Sequence, residues 1–215
     1  MATVRGAAVD WAELERRQPG LARLGRRRLL DPGVVLVATI RGDGAPRVSP
    51  VEPLVLDGAL WLSMLWHSRK AADLLRDPRV LVHSVITSRD GGEGEFKIRG
   101  TARAEVSPDV QARYAAAVGA SLGWVPELGR FHLFAVTIGE VTFIRYDDAS
   151  GDQHVARWPP PREFIRRGTT ATSLGPAEPA HGILVADTCI LAMQACLPQP
   201  AALTPRGGSL PAAPP

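Results

Sequence analysis

The triplet Ser68-Arg69-Lys70 follows an apolar run at residues 59–65 and opens a stretch with helical spacing. A helix beginning there presents free N–H groups and the positive end of its dipole to whatever lies in front of it. With two cations beside it, the arrangement makes an anion site suited to a phosphate dianion. An isolated S-R-K also fits an ordinary capped helix with both cations in solvent, so the neighbouring segment matters. Arg47-Val48-Ser49-Pro50-Val51-Glu52 contains Pro50, and Pro53 follows it. Neither proline can donate a ladder hydrogen bond, which places this strand at an edge or a bulge. Such an edge leaves main-chain groups free for a planar heterocycle with imide-type donors and acceptors, and Arg47 offers a third cation. The same pattern describes a solvent-exposed edge that prolines protect from aggregation.

The remaining reactive side chains are less organised. His67, His83, His132, His154 and His181 show no pair with metal-ligand spacing. His67 adjoins the anion site as a donor or stands free in a loop, and Trp66 covers a ring edge or serves as a core or dimer contact. Cys189 and Cys196 form neither a CxxC pair nor a disulfide framework, which reads as a reducing, cytoplasmic compartment. No residue stands out as a catalytic acid or base.

Positioning these residues requires a β-meander. Residues 10–18 and 21–30 read as helices, the second carrying Arg23, Arg26, Arg27 and Arg28, and Asp31-Pro32-Gly33 ends it. From residue 34 the pattern turns to β-branched and apolar runs at 34–41, 47–56 and 59–65, divided by Gly42-Asp43-Gly44 and Asp57-Gly58. Asp57-Gly58 is the sharpest local signal, because a two-residue type I′ turn needs positive φ at both positions. Residues 68–77 are helical, then a strand runs from 80 to 87. Alternation of Phe96, Ile98, Gly100, Ala102, Ala104 and Val106 with charged or polar neighbours predicts a strand with one wet face. A helix from Ser107-Pro108 to Val118 and strands at 131–138, 141–146 and 153–158 complete the pattern. Short turns and few helices favour an antiparallel barrel over a parallel sheet. The expected organisation is a helical segment at 1–30, a barrel domain at 31–160 and a proline-rich, partly disordered tail at 161–215, with 183–197 as a docking helix.

Composition narrows the class. Of 215 residues, 45% are hydrophobic and 22% charged, a balance that excludes a wholly disordered or collagenous chain. The formal charge is only +3, and of the 25 basic residues only Lys70 and Lys97 are lysines, which argues against a broad nucleic-acid-binding face. The run 183–197 is interrupted by Asp187 and is too short to span a bilayer, and residues 1–14 hold no apolar stretch of signal-peptide length. The expectation is a protein with no membrane span.

Taken in order, Arg47 to Glu52, the turn Asp57-Gly58, the block Ser68-Arg69-Lys70-Ala71, Asp77-Pro78-Arg79-Val80 and Ile98-Arg99-Gly100 resemble the pyridoxamine 5'-phosphate oxidase-like family of flavin-binding split barrels, over about residues 25–160. The resemblance implies a mainly β fold, a six-stranded antiparallel Greek-key split barrel with a few short helices. It also implies a homodimer with flavin mononucleotide (FMN) in the cleft between protomers. Carried over by position, cofactor contacts fall on Arg47, Val48, Ser49, Pro50, Val51 and Glu52, on Ser63 and Met64 in the next strand, on Ser68, Arg69 and Lys70 around the phosphate, and on Glu95. Glu52 and Glu95 stand where oxidase members of the family have lysine and glutamine, and carboxylates there oppose an anionic reduced flavin unless protonated or turned away. Tyr114 matches the family's substrate tyrosine, but Val118 replaces the arginine that should follow it, and the Arg-Leu-His substrate motif has no counterpart near residues 139–142. Vitamin B6 oxidation is therefore not expected.

The leading expectation is a flavin-dependent oxidoreductase acting on an unidentified small-molecule substrate, in which the protein binds, orients and tunes the ring. A deazaflavin coenzyme is the alternative cofactor, its long anionic tail using the arginines between Arg23 and Arg28, which otherwise form a solvated helix face. From a different class comes a flavin- or haem-binding protein on the same barrel that turns over nothing.

Overall fold

The computed structural model describes residues 8–184. Asp10 starts α1 (Trp11–Arg17) by accepting the Glu13 N–H at 2.8 Å, and Pro19 occupies the first position of α2 (Pro19–Gly25), where its missing N–H costs nothing. A π-helical turn, Arg26–Leu30, carries the chain into the sheet. The strands are β1 (Val35–Ile40), β2 (Pro46–Val51), β3 (Pro53–Leu56), β4 (Ala59–Leu65), β5 (Arg79–Ser84), β6 (Glu95–Glu105), β7 (Phe131–Tyr146), β8 (Gln153–Trp158), β9 (Arg162–Thr170) and β10 (Ser173–Pro179). Two further helices are inserted, α3 (Arg69–Arg76) after β4 and α4 (Pro108–Leu122) after β6.

All pairings are antiparallel, in the order β10-β9-β8-β7-β6-β5-β1-β2, with β4 joining β3 to β7. The mainly β, antiparallel class with short helices is as the sequence predicts. The ladder of hydrogen bonds does not close. Instead, residues 46–56 behave as one kinked strand: β2 pairs with β1, Glu52 breaks the run, and β3 pairs with β4. Counted that way, β1, the kinked strand, β4, β7, β6 and β5 are the six strands expected. The expected strands at 131–138 and 141–146 are one strand of 16 residues, β7, whose first half pairs with β4 and second half with β8. Asp57 and Gly58 both have positive φ, +50° and +75°, as the hairpin between β3 and β4 demands.

Inward-facing residues of every barrel strand meet α1 and α2 in one core. Trp11, Leu14, Leu21 and Leu29 pack with Val37, Leu60, Leu62, Val82, Phe96, Ile98, Phe134 and Phe143, all almost fully buried. Each such side chain contributes about 1.5–3 kcal/mol relative to exposure. The approach is close enough that a side chain on Gly25 would meet the Phe96 ring at 2.8 Å. A second, smaller cluster forms where α4 lays Tyr114 and Val118 over Trp61, Phe131 and Leu133 on the opposite face of β4 and β7.

The stretch expected as a tail opens with β9 and β10, which extend the sheet from β8. Buried Asp152 anchors the base of this extension, accepting from the Gly168 N–H at 2.9 Å and from Arg167 at 2.7 Å. Ile183 is buried against the core, and the rest of the expected docking helix lies outside the described residues. No helix among the described residues is long and apolar enough to cross a membrane.

Candidate functional site

β4 ends at Leu65, and the chain turns through Trp66 and His67 into α3. His67 sits at φ +60°, a conformation that costs a branched or bulky residue energy and persists only where the surroundings fix it. The Ser68 N–H closes the turn on the Leu65 carbonyl at 3.1 Å. Ser68 is the N-cap of α3, but its side chain makes no capping bond, and its Oγ is buried without a hydrogen-bond partner. Arg69 next to it is exposed and carries no ion pair among the described residues. Lys70 reaches back across the fold, Nζ donating to the Pro50 carbonyl at 3.1 Å. Since β2 terminates the sheet on that side, the helix N-terminus stands beside an unpaired strand edge. This is the juxtaposition read from the sequence.

The residues of that edge divide by face. Val48 and Pro50 point outward and are exposed, Val48 to 61%, whereas Arg47 and Ser49 are half-buried and Val51 is in the core. Met64 is likewise in the core, so the side chains of Val51 and Met64 are both closed off from solvent. Arg47 is not a free cation. Its Nε donates to Asp73 Oδ2 at 2.6 Å, the Thr39 hydroxyl donates to the same oxygen at 2.9 Å, and Arg76 lies 3.6 Å from Oδ1. Burial pushes the Asp73 carboxyl up, yet the hydrogen bonds from Arg47 and Thr39 and the charges of Arg47 and Arg76 outweigh it and hold the group below its ordinary value. Asp73 therefore fastens β1, β2 and α3 together.

Ser63 and Glu52 gather at Tyr114. Burial raises the Tyr114 hydroxyl to about 12; a hydrogen bond with Ser63 opposes the rise and the negative charge of Glu52 adds to it. Glu95 stands apart. It starts β6, binds Lys97 at 2.7 Å and His83 at 3.1 Å, and so has its charge compensated. With β1 and β5 intervening, it lies three strands along the sheet from β2. Within one chain the structure thus brings together Val48 to Val51, Ser68, Arg69 and Lys70, and leaves Glu95 elsewhere.

Sequence reasoning missed Asp73. Its signal was a lone acid flanked by Ala71 and Leu74, which form the buried face of α3. Replacing it by asparagine is expected to lower stability by about 1–3 kcal/mol near neutral pH, because Arg47 is left without its partner. A carboxyl depressed in the folded state contributes stability above its unfolded value of about 4 and loses it as pH falls through the folded value. Urea midpoints of the native chain should therefore drop on acidification below about pH 4, and those of Asp73→Asn should drop less over the same range.

Chemically, the arrangement suits a dianion: an N-terminal set of helix N–H groups, a buried hydroxyl and a guanidinium that both lack a partner among the described residues, and an ammonium fixed to a strand edge. No group of three or more His, Cys, Asp or Glu residues with metal-binding geometry occurs among the described residues.

No curated protein matches this chain. Solved structures with a similar fold include a putative pyridoxamine 5'-phosphate oxidase from Listeria innocua, 17% identical, covering 60% of this chain and 95% of that one with a TM-score of 0.46. The haem storage protein HutZ from Vibrio cholerae is 17% identical, with 56% and 89% covered and a TM-score of 0.47. A NimC/NimA family protein from Clostridium acetobutylicum is 20% identical, with 61% and 86% covered and a TM-score of 0.45. The sequence model of the pyridoxamine 5'-phosphate oxidase family matches residues 25–145, which take in β2, β4 and the whole of α3. That span is more than half of the molecule, and the chain belongs to the pyridoxamine 5'-phosphate oxidase family.

Proposed function

We propose that this protein is an FMN-dependent oxidoreductase that acts on a small molecule. The observation that carries the reading is the Ser68 hydroxyl, buried at the start of α3 beside Arg69, both without a partner among the described residues, with Lys70 tied to the exposed edge of β2. A phosphate monoester supplies the acceptors that these donors lack. Ser68, Arg69, Lys70 and the first N–H groups of α3 hold the phosphate, and the main chain of Val48 to Val51 meets the ring. Bound flavin supplies hydride and electron transfer; the protein binds it, orients it and sets how well a reduced anion is tolerated.

Two features bear on the alternatives. Arg26 pairs with Glu15 and lies over the Trp11 ring within the helical segment, and Arg28 pairs with Glu93 just before β6, so half of the arginine cluster is already engaged by other side chains. This favours FMN over a deazaflavin coenzyme with a longer anionic tail. Compensation of Glu95 by Lys97 and His83 removes one of the two carboxylates that opposed a reduced flavin, which favours the enzyme over a passive binder.

A homodimer completes the site in this reading, since β1 and β5 separate Glu95 from β2 within one chain and the outward Val48 and Leu36 offer apolar surface for a second copy. The cytoplasm suits such a cofactor and the chain's two cysteines. Protein purified and loaded with FMN should show a flavin spectrum, bleach with NADPH and recover in air. A colour that never cycles assigns the barrel to storage or sensing, and a haem spectrum in the untreated protein overturns the flavin assignment.

A further inference from the structure

On the other flank of the turn that leads into α3 lies a cavity of about 630 Å³. It is bounded by Trp66, Leu75, Val106, Leu128, Phe131 and His132, and its volume falls within the range of about 300–1,000 Å³ that accommodates small organic ligands. Three of these side chains are far more exposed than their chemistry favours, Leu75 and Leu128 at 56% and Val106 at 80%. Trp66 and His132 stack with ring centroids 4.6 Å apart and planes 14° from parallel, giving one wall a flat π surface. Burial, and then the neighbouring His67, lowers the basicity of His132, so this wall is uncharged at neutral pH.

The electrostatics of the cavity are as one-sided as its shape. No lysine or arginine among the described residues lines it. Its one ionisable acid is Glu105, whose side chain is only 14% exposed, accepts the Ser107 N–H at 2.9 Å and has Arg103 at 3.6 Å. The polar neighbour Gln111 is engaged with the Glu105 carbonyl at 3.0 Å. An anion entering here finds a carboxylate already paired with Arg103 and no cation among the lining residues, whereas a neutral ring finds a flat wall and exposed apolar surface.

We infer that the Trp66–His132 cavity is a binding site for a neutral, planar aromatic molecule, separate from the phosphate grip and selective against anions. It requires no bound flavin. The opposite chemistry of the two sites, one cationic at the start of α3 and one apolar beside its Leu75 flank, keeps a phosphorylated ligand out of the second.

Two fluorescent probes of nearly the same shape test this on the full chain, N-phenylnaphthylamine and its sulfonated counterpart anilinonaphthalene sulfonate. The neutral probe is expected to bind saturably and about tenfold or more tighter than the sulfonate. Trp66→Ala should weaken the neutral probe about fivefold or more without lowering the melting temperature appreciably, since Trp66 is 45% exposed. Leu128→Arg, at an exposed position, should bring the sulfonate to within about threefold of the neutral probe. Equal affinity for both probes in the native chain overturns the inference. So does binding that Trp66→Ala leaves unchanged, or the absence of binding because a second copy covers the cavity. FMN titration run in parallel reports on the phosphate site alone, so failure of either site is read independently.

Discussion

Replacing Arg69 and Lys70 together by alanine is expected to weaken FMN binding about 100-fold and to leave riboflavin binding nearly unchanged. The two ligands share the ring and differ in the phosphate, so the comparison isolates the grip from every contact along β2. The factor follows from two charge-assisted contacts of about tenfold each, a low value chosen because Arg69 is exposed and solvent screens it. Ser68→Ala removes a single neutral donor and should cost only a few-fold, about three to five. Native FMN affinity should fall with added salt, and that of the double variant should be almost flat, since the cations that respond to screening are gone. Quenching of flavin fluorescence during titration reads all five quantities. Equal loss of FMN and riboflavin in the double variant would show that α3 moved and that the cations do not hold a phosphate. Lys70 makes this a real possibility to exclude, because its bond to the Pro50 carbonyl also joins the helix to the strand edge.

The placing of the start of α3 beside the edge of β2 was legible in the sequence because each signal is local. Three consecutive residues between a strand and a helix define the donors, and Pro50 marks the edge that faces them. The hairpin at Asp57-Gly58 and the alternating strand from Phe96 were legible for the same reason, since period and turn chemistry act over a few residues. Long-range pairing was not. Arg47 reads as a third cation until Asp73, which lies 26 residues away, is seen to neutralise it. The two halves of β7 read as separate strands because Gly139-Glu140 resembles a turn, whereas the chain runs straight through with a shift in its register to β6. Nor did β9 and β10 announce themselves. Arg162, Arg166, Arg167, Pro176 and Pro179 suit a tail by composition, yet an extension with both faces partly wet needs no apolar alternation and tolerates proline on its outer edge.

That shift in register marks the position where one methyl group should do the most damage. At Gly100 the pairing of β6 with β7 slips by one residue, Arg99 opposing Glu140 and Gly100 opposing Ile138. A Cβ built on Gly100 meets the Thr137 carbonyl oxygen at 1.9 Å and its carbon at 3.0 Å, both backbone atoms that cannot swing aside. Gly100→Ala therefore forces the two strands apart at the bulge, next to Ile98 and Ile138, which are both fully buried. The expected loss is about 3 kcal/mol or more, a drop of roughly 6–12 °C in melting temperature for a chain of this size. Gly44→Ala supplies the control: its φ of +83° strains any side chain, but nothing lies within 4 Å, so only the backbone cost of about 1 kcal/mol applies. If Gly100→Ala melts no lower than Gly44→Ala by circular dichroism, the close approach of the strands is not what fixes their register. Because β7 pairs with β6, β4 and β8 in turn, a slip there moves the residues that hold β4, and with it the turn that delivers Ser68 to the start of α3. Loss of register at Gly100 should therefore cost FMN affinity as well as stability, whereas Gly44→Ala should cost neither to the same degree.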